Sequence, residues 1–291
     1  MTLQLFVQLL INGLMIGGIY ALVASGFTLI LGVLQVFNFA QGHFYMLGAF
    51  IAYAVATVMG APYIVAIIAS LAGMAVLGIL TYFSIIKWTL RSGFFHTMLV
   101  TVAFGTIIGQ LAVLKFGYST AVVAPLIEST LQFGGISLNP GKLIVMAGAI
   151  VVMVALWWFL KTKIGVAMMA CAENREVACL QGINAEKVFW VTMAVGCGLC
   201  GIAGALVAPV LSASTNMGSQ VFLKAMIVVM VGGTGSMSGA LLAAFVVGIV
   251  ESFAFQYVES FAPLVIFALV ALLLYFRPGG LLGKPLPIPG Q

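Results

Sequence analysis

Tyr63-Ile64-Val65-Ala66-Ile67-Ile68-Ala69-Ser70-Leu71-Ala72-Gly73-Met74-Ala75-Val76-Leu77-Gly78-Ile79-Leu80-Thr81 carries no charge, and the chain stays uncharged as far as Ile86. A helix needs about 20 apolar residues to cross the hydrocarbon core of a bilayer, and this run is long enough. The pattern extends to the amino terminus, because residues 1–86 contain no Asp, Glu, Lys or Arg at all. Over the whole chain 64% of residues are hydrophobic and 6% charged, with a mean hydropathy of +1.26. A soluble domain is about 25% charged, and one of this composition would expose large apolar patches and aggregate. The chain is therefore read as an all-α polytopic membrane protein, forming one transmembrane domain over residues 1–291. A transmembrane barrel would show ten-residue alternating strands instead of long runs.

Apolar segments fall at 5–24, 26–38, 43–60, 62–86, 95–114, 143–160, 188–210, 222–233, 237–257 and 261–276. Two are short, so the expectation is 8–10 transmembrane helices, the short ones being half-helices shielded by neighbours. Met1-Thr2-Leu3-Gln4 lacks the basic start of a cleavable leader, so the first helix is expected to be retained. Lys and Arg orient such a bundle. Lys87 and Arg91, then Lys161, Lys163, Arg175 and Lys187, then Arg277 and Lys284 mark the cytoplasmic side. Lys115, Lys142 and Lys224 fall on the other. Counting ten spans puts both termini in the cytoplasm. The same bias accounts for the pI of about 9.1 without nucleic acid.

Chemistry is sparse. The chain has no Asp, its two histidines (His43 and His96) have no acidic neighbour in sequence, and no hydrolase or zinc motif occurs. No catalytic residue and no metal site is expected. Cys197 and Cys200 form a CxxC, but within an apolar glycine-rich helix, where cysteine packs as a small hydrophobe. The acids in or beside spans are Glu251 and Glu259, both expected to hydrate at the outer end of their segments, which argues against a proton relay. Gly232-Gly233-Thr234-Gly235-Ser236-Met237-Ser238-Gly239 lacks the Gly-Lys-Ser/Thr ending of a phosphate loop and reads as a tight turn. If the protein pumps, another subunit supplies the energy.

Two loops stand out. Residues 115–142 hold the turn formers Pro125, Gly134-Gly135 and Asn139-Pro140-Gly141, and are expected to pack over the outer mouth. Residues 161–187 hold seven of the seventeen formal charges. Within them Ala172 to Gln181 reads as a short amphipathic helix with acids in its first turn, stopped by Gly182. From the residues alone it is either an element held by a cytoplasmic partner or a connector lying on the membrane. Gly13/Gly17, Gly105/Gly109 and Gly235/Gly239 are GxxxG pairs, and Gly201/Ala205 and Gly204/Ala208 are small-xxx-small pairs, of the kind that let helices approach closely. Gly18 to Ala24 echoes Gly201 to Ala208 with a one-residue gap, the trace of an internal repeat.

These motifs together resemble the permease subunits of branched-chain amino acid ABC importers. The resemblance runs through Asn12-Gly13-Leu14, Gly17-Gly18-Ile19-Tyr20-Ala21-Leu22, Phe37-Asn38-Phe39-Ala40-Gln41-Gly42, Ala172-Glu173-Asn174, Gly182-Ile183-Asn184, the glycine-rich turn at 232–240, and Arg277-Pro278-Gly279-Gly280-Leu281-Leu282-Gly283. It implies a type II importer-like fold with an inverted repeat, in a bacterial inner membrane. It implies a second permease (a paralogue or a copy), two cytoplasmic ATPases carrying ATP and magnesium, and an extracytoplasmic solute-binding protein. Branched-chain or other hydrophobic amino acids are the implied solutes, though permeases for urea, amides, sugars and nucleosides share the scaffold. Residues 173–184 would be the coupling helix, with Glu173, Asn174, Arg175, Glu176, Ala178, Gly182, Ile183 and Asn184 meeting the ATPase. Asn174-Arg175 replace the paired alanines of the corresponding short-loop region in other importers. Asn12, Ser25, Asn38, Gln41 and His43 are candidates for the translocation path; each is equally explicable as an interhelical hydrogen bond. The competing readings are an ion-coupled secondary transporter and a structural subunit of another membrane complex.

Overall fold

A computed structural model describes residues 3–90, 93–117, 120–123, 131–133, 136–277 and 279–283. Arg91, Pro125, Gly134-Gly135, Pro278 and Lys284, used above, lie outside them. The first helix, α1, runs unbroken over Leu3–Leu34. At 1.5 Å per residue its 32 residues span about 48 Å, so the segments read as 5–24 and 26–38 are one crossing. Ser25-Gly26 does not break it, because a glycine flanked by packed neighbours is tolerated in a membrane helix. An irregular stretch at 35–40 leads to α2 (Gln41–Tyr53), which ends in a π-helical turn, Ala54–Val58. Next come α3 (Tyr63–Thr81), prolonged through a second π turn to Thr89, and α4 (Phe94–Phe116). A small antiparallel hairpin, β1 (Leu131–Phe133) and β2 (Ile136–Leu138), pairs Leu131 with Leu138 and precedes α5 (Pro140–Leu160). Two short helices follow, α6 (Lys163–Glu173) and α7 (Arg175–Leu180). The chain closes with α8 (Ala185–Leu211), α9 (Met217–Gly232), α10 (Met237–Val258) and α11 (Ala262–Phe276).

Six of these helices are long and apolar enough to cross a membrane, and α9 and α11 are shorter apolar helices. With α2 they make nine membrane segments among the described residues. That number reverses one end of the chain. Gly32, near the end of α1, faces Ala172 of α6 and Gly235. Lys87 pairs with Glu186 at 2.5 Å. After α11, the Leu281 amide donates to the Val231 carbonyl at 2.7 Å. All of these belong to the face that carries the charged loop. At the other face Lys142 donates to Asn12 at 2.8 Å, Ser252 donates to the Leu9 carbonyl at 2.7 Å, and Ala121 bridges to Ala213. The amino end of α1 therefore lies on the side opposite the charged loop, while the chain after α11 lies with it. The expectation that both termini share the cytoplasmic side is corrected, because one fused helix removes one crossing.

Helices α1 and α8 form the centre. Their most extensive partners are α10 and α3 respectively. They cross each other at Gly26 and Gly196, and α2 crosses α9 at Gly42 and Gly218. Three consecutive segments of each half (α1–α3 and α8–α10) thus occupy matching places and run in opposite directions, an inverted arrangement. Of the small-residue pairs, Gly13/Gly17 packs on Ile249 and Phe245 of α10. Gly235 instead has φ +82° in the α9–α10 turn, where Ser236 caps α10 through the Gly239 amide. Cys197 and Cys200 are free and fully buried, as packing residues.

Candidate functional site

Between α1 and α2 the backbone is unwound while enclosed by protein. Gln35 turns the chain with φ +56°. The following residues are held by Thr101 of α4, whose hydroxyl accepts from the Phe39 amide at 3.3 Å and shares its one proton between the Met98 carbonyl of its own helix at 2.8 Å and the Phe37 carbonyl at 3.2 Å. Asn38 accepts from the Ala40 amide at 3.1 Å, closing a local turn before α2 begins. The first residue of α2, Gln41, donates through Nε2 to the Gly196 carbonyl at 3.4 Å and to Cys200 Sγ at 3.2 Å. Gly196 lies eleven residues into α8, about 17 Å from the end that adjoins the charged loop. So α2 starts inside the bilayer, not at its edge. Unwound backbone at that depth is tolerated where protein buries it, and discontinuous helices of this kind form sites in transporters.

Three of the five sequence candidates meet at this break. Asn38 and Gln41 are fully buried, and His43 follows Gln41 by two residues, on another side of α2. Asn38 Nδ2, Gln41 Oε1 and His43 Nδ1, with Thr28 Oγ1 of α1, are buried polar atoms that find no hydrogen-bond partner in the protein. An unsatisfied buried group costs about 1–3 kcal/mol, so each of these atoms is a candidate to bond water or a polar guest. The His43 ring lies in a notch of α4: a Cβ on Gly105 would stand 2.9 Å from Nδ1, and one on Gly109 would stand 3.0 Å from Nε2. That GxxxG pair accommodates the His43 side chain and, at Gly105, the Ala40 backbone at the start of α2. The other two candidates lie elsewhere. Ser25 bonds its own helix, donating to the Ala21 carbonyl at 2.5 Å, and Asn12 is engaged by Lys142 at the far end of α1.

The charged loop folds into two helices where one was expected. Asn174 is extended, with φ −156°, and separates them. Glu173 therefore ends α6, and only Glu176 stands in the first turn of α7. Asn174 breaks the helix because its Oδ1 accepts from the Glu176 and Val177 amides at 3.0 and 3.1 Å, satisfying donors that a new helix leaves open. Gly182 stops α7 with φ +81°, and the Ile183 amide donates back to the Ala178 carbonyl at 3.2 Å. Asn184 caps α8 through the Lys187 amide at 3.1 Å. Ala178 is buried, whereas Leu180 is 85% exposed and Val177 half-exposed, so α7 offers an apolar edge away from the bundle. Arg175 folds back, its guanidinium 4.8 Å from the centre of the Phe189 ring on α8.

One feature escaped the sequence reading. Glu251 does not hydrate. Its side chain is 3% exposed and ion-paired with Lys224 of α9, and the Tyr20 hydroxyl of α1 donates to its other oxygen at 2.7 Å. The available signal was a lone base and a lone acid in consecutive apolar runs. Glu259 is exposed, as expected.

A helical bundle with an inverted repeat, an unwound segment enclosed by protein and a capped charged loop is a multi-pass membrane permease. The chain belongs to the family described as branched-chain amino acid transport system / permease component, whose model matches residues 9–276. It is 30% identical over 296 residues to the high-affinity branched-chain amino acid transport system permease protein BraD of Pseudomonas aeruginosa, covering 96% of each chain. It is 27% identical over 316 residues to the corresponding protein LivH of Escherichia coli K12, again covering 96% of each. A probable LivH of Methanocaldococcus jannaschii is 26% identical over 87% of this chain and 82% of its own.

Proposed function

We propose that this chain forms one half of a translocation pore in an ATP-driven importer of the bacterial inner membrane, passing branched-chain amino acids handed over by an external binding protein. The second half is another permease of the same fold, and two cytoplasmic ATPases grip the loop around α7. The observation that carries the reading is the family match across nearly the whole chain, joined to a loop whose exposed Leu180 and Val177 have no cover in the bundle. A helix of six residues capped at both ends is a rigid lever. The ATPases can shift the pore between states only through contacts that differ in those states, and α7 is placed to make them. The unwound segment with Asn38, Gln41 and His43 is the proposed inner part of the path. The ion-coupled alternative would have to use Glu251, the one acid enclosed within the described spans, whose two oxygens are engaged by Lys224 and Tyr20. The experiment is uptake of labelled leucine into vesicles containing the complete transporter and its binding protein. Uptake driven by enclosed ATP and indifferent to an imposed pH gradient is expected; uptake driven by the gradient alone would overturn the proposal.

A further inference from the structure

The Lys224–Glu251 pair sits within the membrane segments, where an ionised side chain is expensive and marks either a ligand path or a water-filled cavity. The two partners are unequal. Glu251 is enclosed and both of its oxygens are engaged, one by Lys224 and one by Tyr20. The Lys224 side chain is 29% exposed, and an ammonium has three donors, of which one is used on Glu251. The ammonium also stands 5.7 Å from the Tyr20 ring centre and 5.8 Å from that of Phe255, so its orientation is fixed by aromatic faces as well as by charge. Beyond it along α9 the polar Asn216, Ser219 and Gln220 are exposed together with Leu223, and Gln256 is exposed beside Phe255 at the matching end of α10. Polar side chains beside a partly open lysine are unsuited to lipid tails.

We infer that Lys224 is a carboxylate-binding group on the outer half of the translocation path, held by Glu251 and Tyr20 so that its free donors meet the carboxylate of a passing amino acid. Glu251 and Tyr20 are positioning residues. They hold the lysine aimed, and both Glu251 oxygens are already engaged. The inference rests on the proposal that the solute is an amino acid, and it places that solute's acid group at a named atom.

The test uses the complete reconstituted transporter. Ser219→Cys and Gln220→Cys are treated from outside with an impermeant thiol reagent, with Leu264→Cys, exposed on α11, as the lipid-facing control. Labelling of the first two and not of the control is expected. No labelling of either, with and without ATP, would show a face covered by lipid or protein and overturn the inference. In the second arm, Lys224→Met lowers leucine uptake by roughly tenfold, the loss of one charge-assisted hydrogen bond, whereas Lys224→Arg keeps most of it. The double variant Lys224→Met with Glu251→Gln leaves no unpaired buried charge, yet stays as slow. Wild-type uptake in the double variant would reduce the pair to a structural role and overturn the inference. Failure of the wild-type transporter to take up any amino acid would instead overturn the proposed function.

Discussion

Gly26 and Gly196 meet backbone to backbone where the two central helices cross. A Cβ on Gly26 would lie 2.5 Å from the Gly196 carbonyl oxygen, and one on Gly196 would lie 2.9 Å from the Gly26 oxygen and closer still to Ile30. Close approach of this kind replaces the hydrophobic drive that lipid cannot supply between helices. It also brings Gln41 within reach of the Gly196 carbonyl, so the crossing and the helix break are parts of one arrangement.

Gly196→Leu should therefore damage stability and the break together. Overpacking of a tight contact costs about 1–3 kcal/mol, and here backbone must move. The measurement is thermal unfolding in detergent, followed by reaction of the buried Cys197 and Cys200 with a thiol dye. A midpoint equal to wild type would remove the argument.

Thr101→Val keeps the side-chain shape but deletes the hydroxyl that holds Phe37 and Phe39. Leaving the Phe37 carbonyl and Phe39 amide without it costs about 1–3 kcal/mol, and the unwound segment loosens. Leucine uptake should fall while the ATPases retain binding to the complex. Equal uptake and equal thermal stability would show that the break needs no such anchor.

Gly182→Val forces a β-branched residue into a left-handed conformation, at about 1–2 kcal/mol. Nothing lies within 4 Å of where the Cβ would stand, so the effect is conformational and not a clash. Gly182→Asn, which tolerates that conformation, should co-purify with the ATPases like wild type, whereas Gly182→Val should not. Loss in both variants would point to a requirement for glycine itself.

Cysteine labelling separates the two faces. Cys179 is exposed on α7 and Cys171 is buried on α6, so an impermeant reagent supplied from the cytoplasmic side should modify Cys179 first. Burial, with a smaller contribution from Cys179, raises the Cys171 thiol above its ordinary range, against an opposing pull from Arg175. A raised value means less thiolate at any given pH, so Cys171 should lag and gain most as the pH increases. A tag at the amino terminus should be reached from the outside. Detection of both the tag and Cys179 from one side would overturn the placement of α1.

The amino-acid sequence determined the membrane class, because nothing but lipid solvates an uncharged run of 86 residues. It also determined which loop carries the charge, where α7 stops, and that the glycine-rich stretch at 232–239 is a turn, since caps and glycines act through their immediate neighbours. Hydropathy averages over a window and does not register whether a helix is interrupted. Ser25-Gly26 looked like a boundary, but packing against α8 and α10 carries α1 straight through it. The real interruption, ten residues later, depends on Thr101 from a distant helix. Asn38, Gln41 and His43 were legible as polar residues in apolar surroundings, but their surroundings were not, because Gln41 meets α8 and His43 lies against α4 across the bundle. Likewise Glu251 read alone is a carboxylate near a helix end. Tertiary structure alone supplies Tyr20 and Lys224, and it is their proximity that lets the charge stay buried.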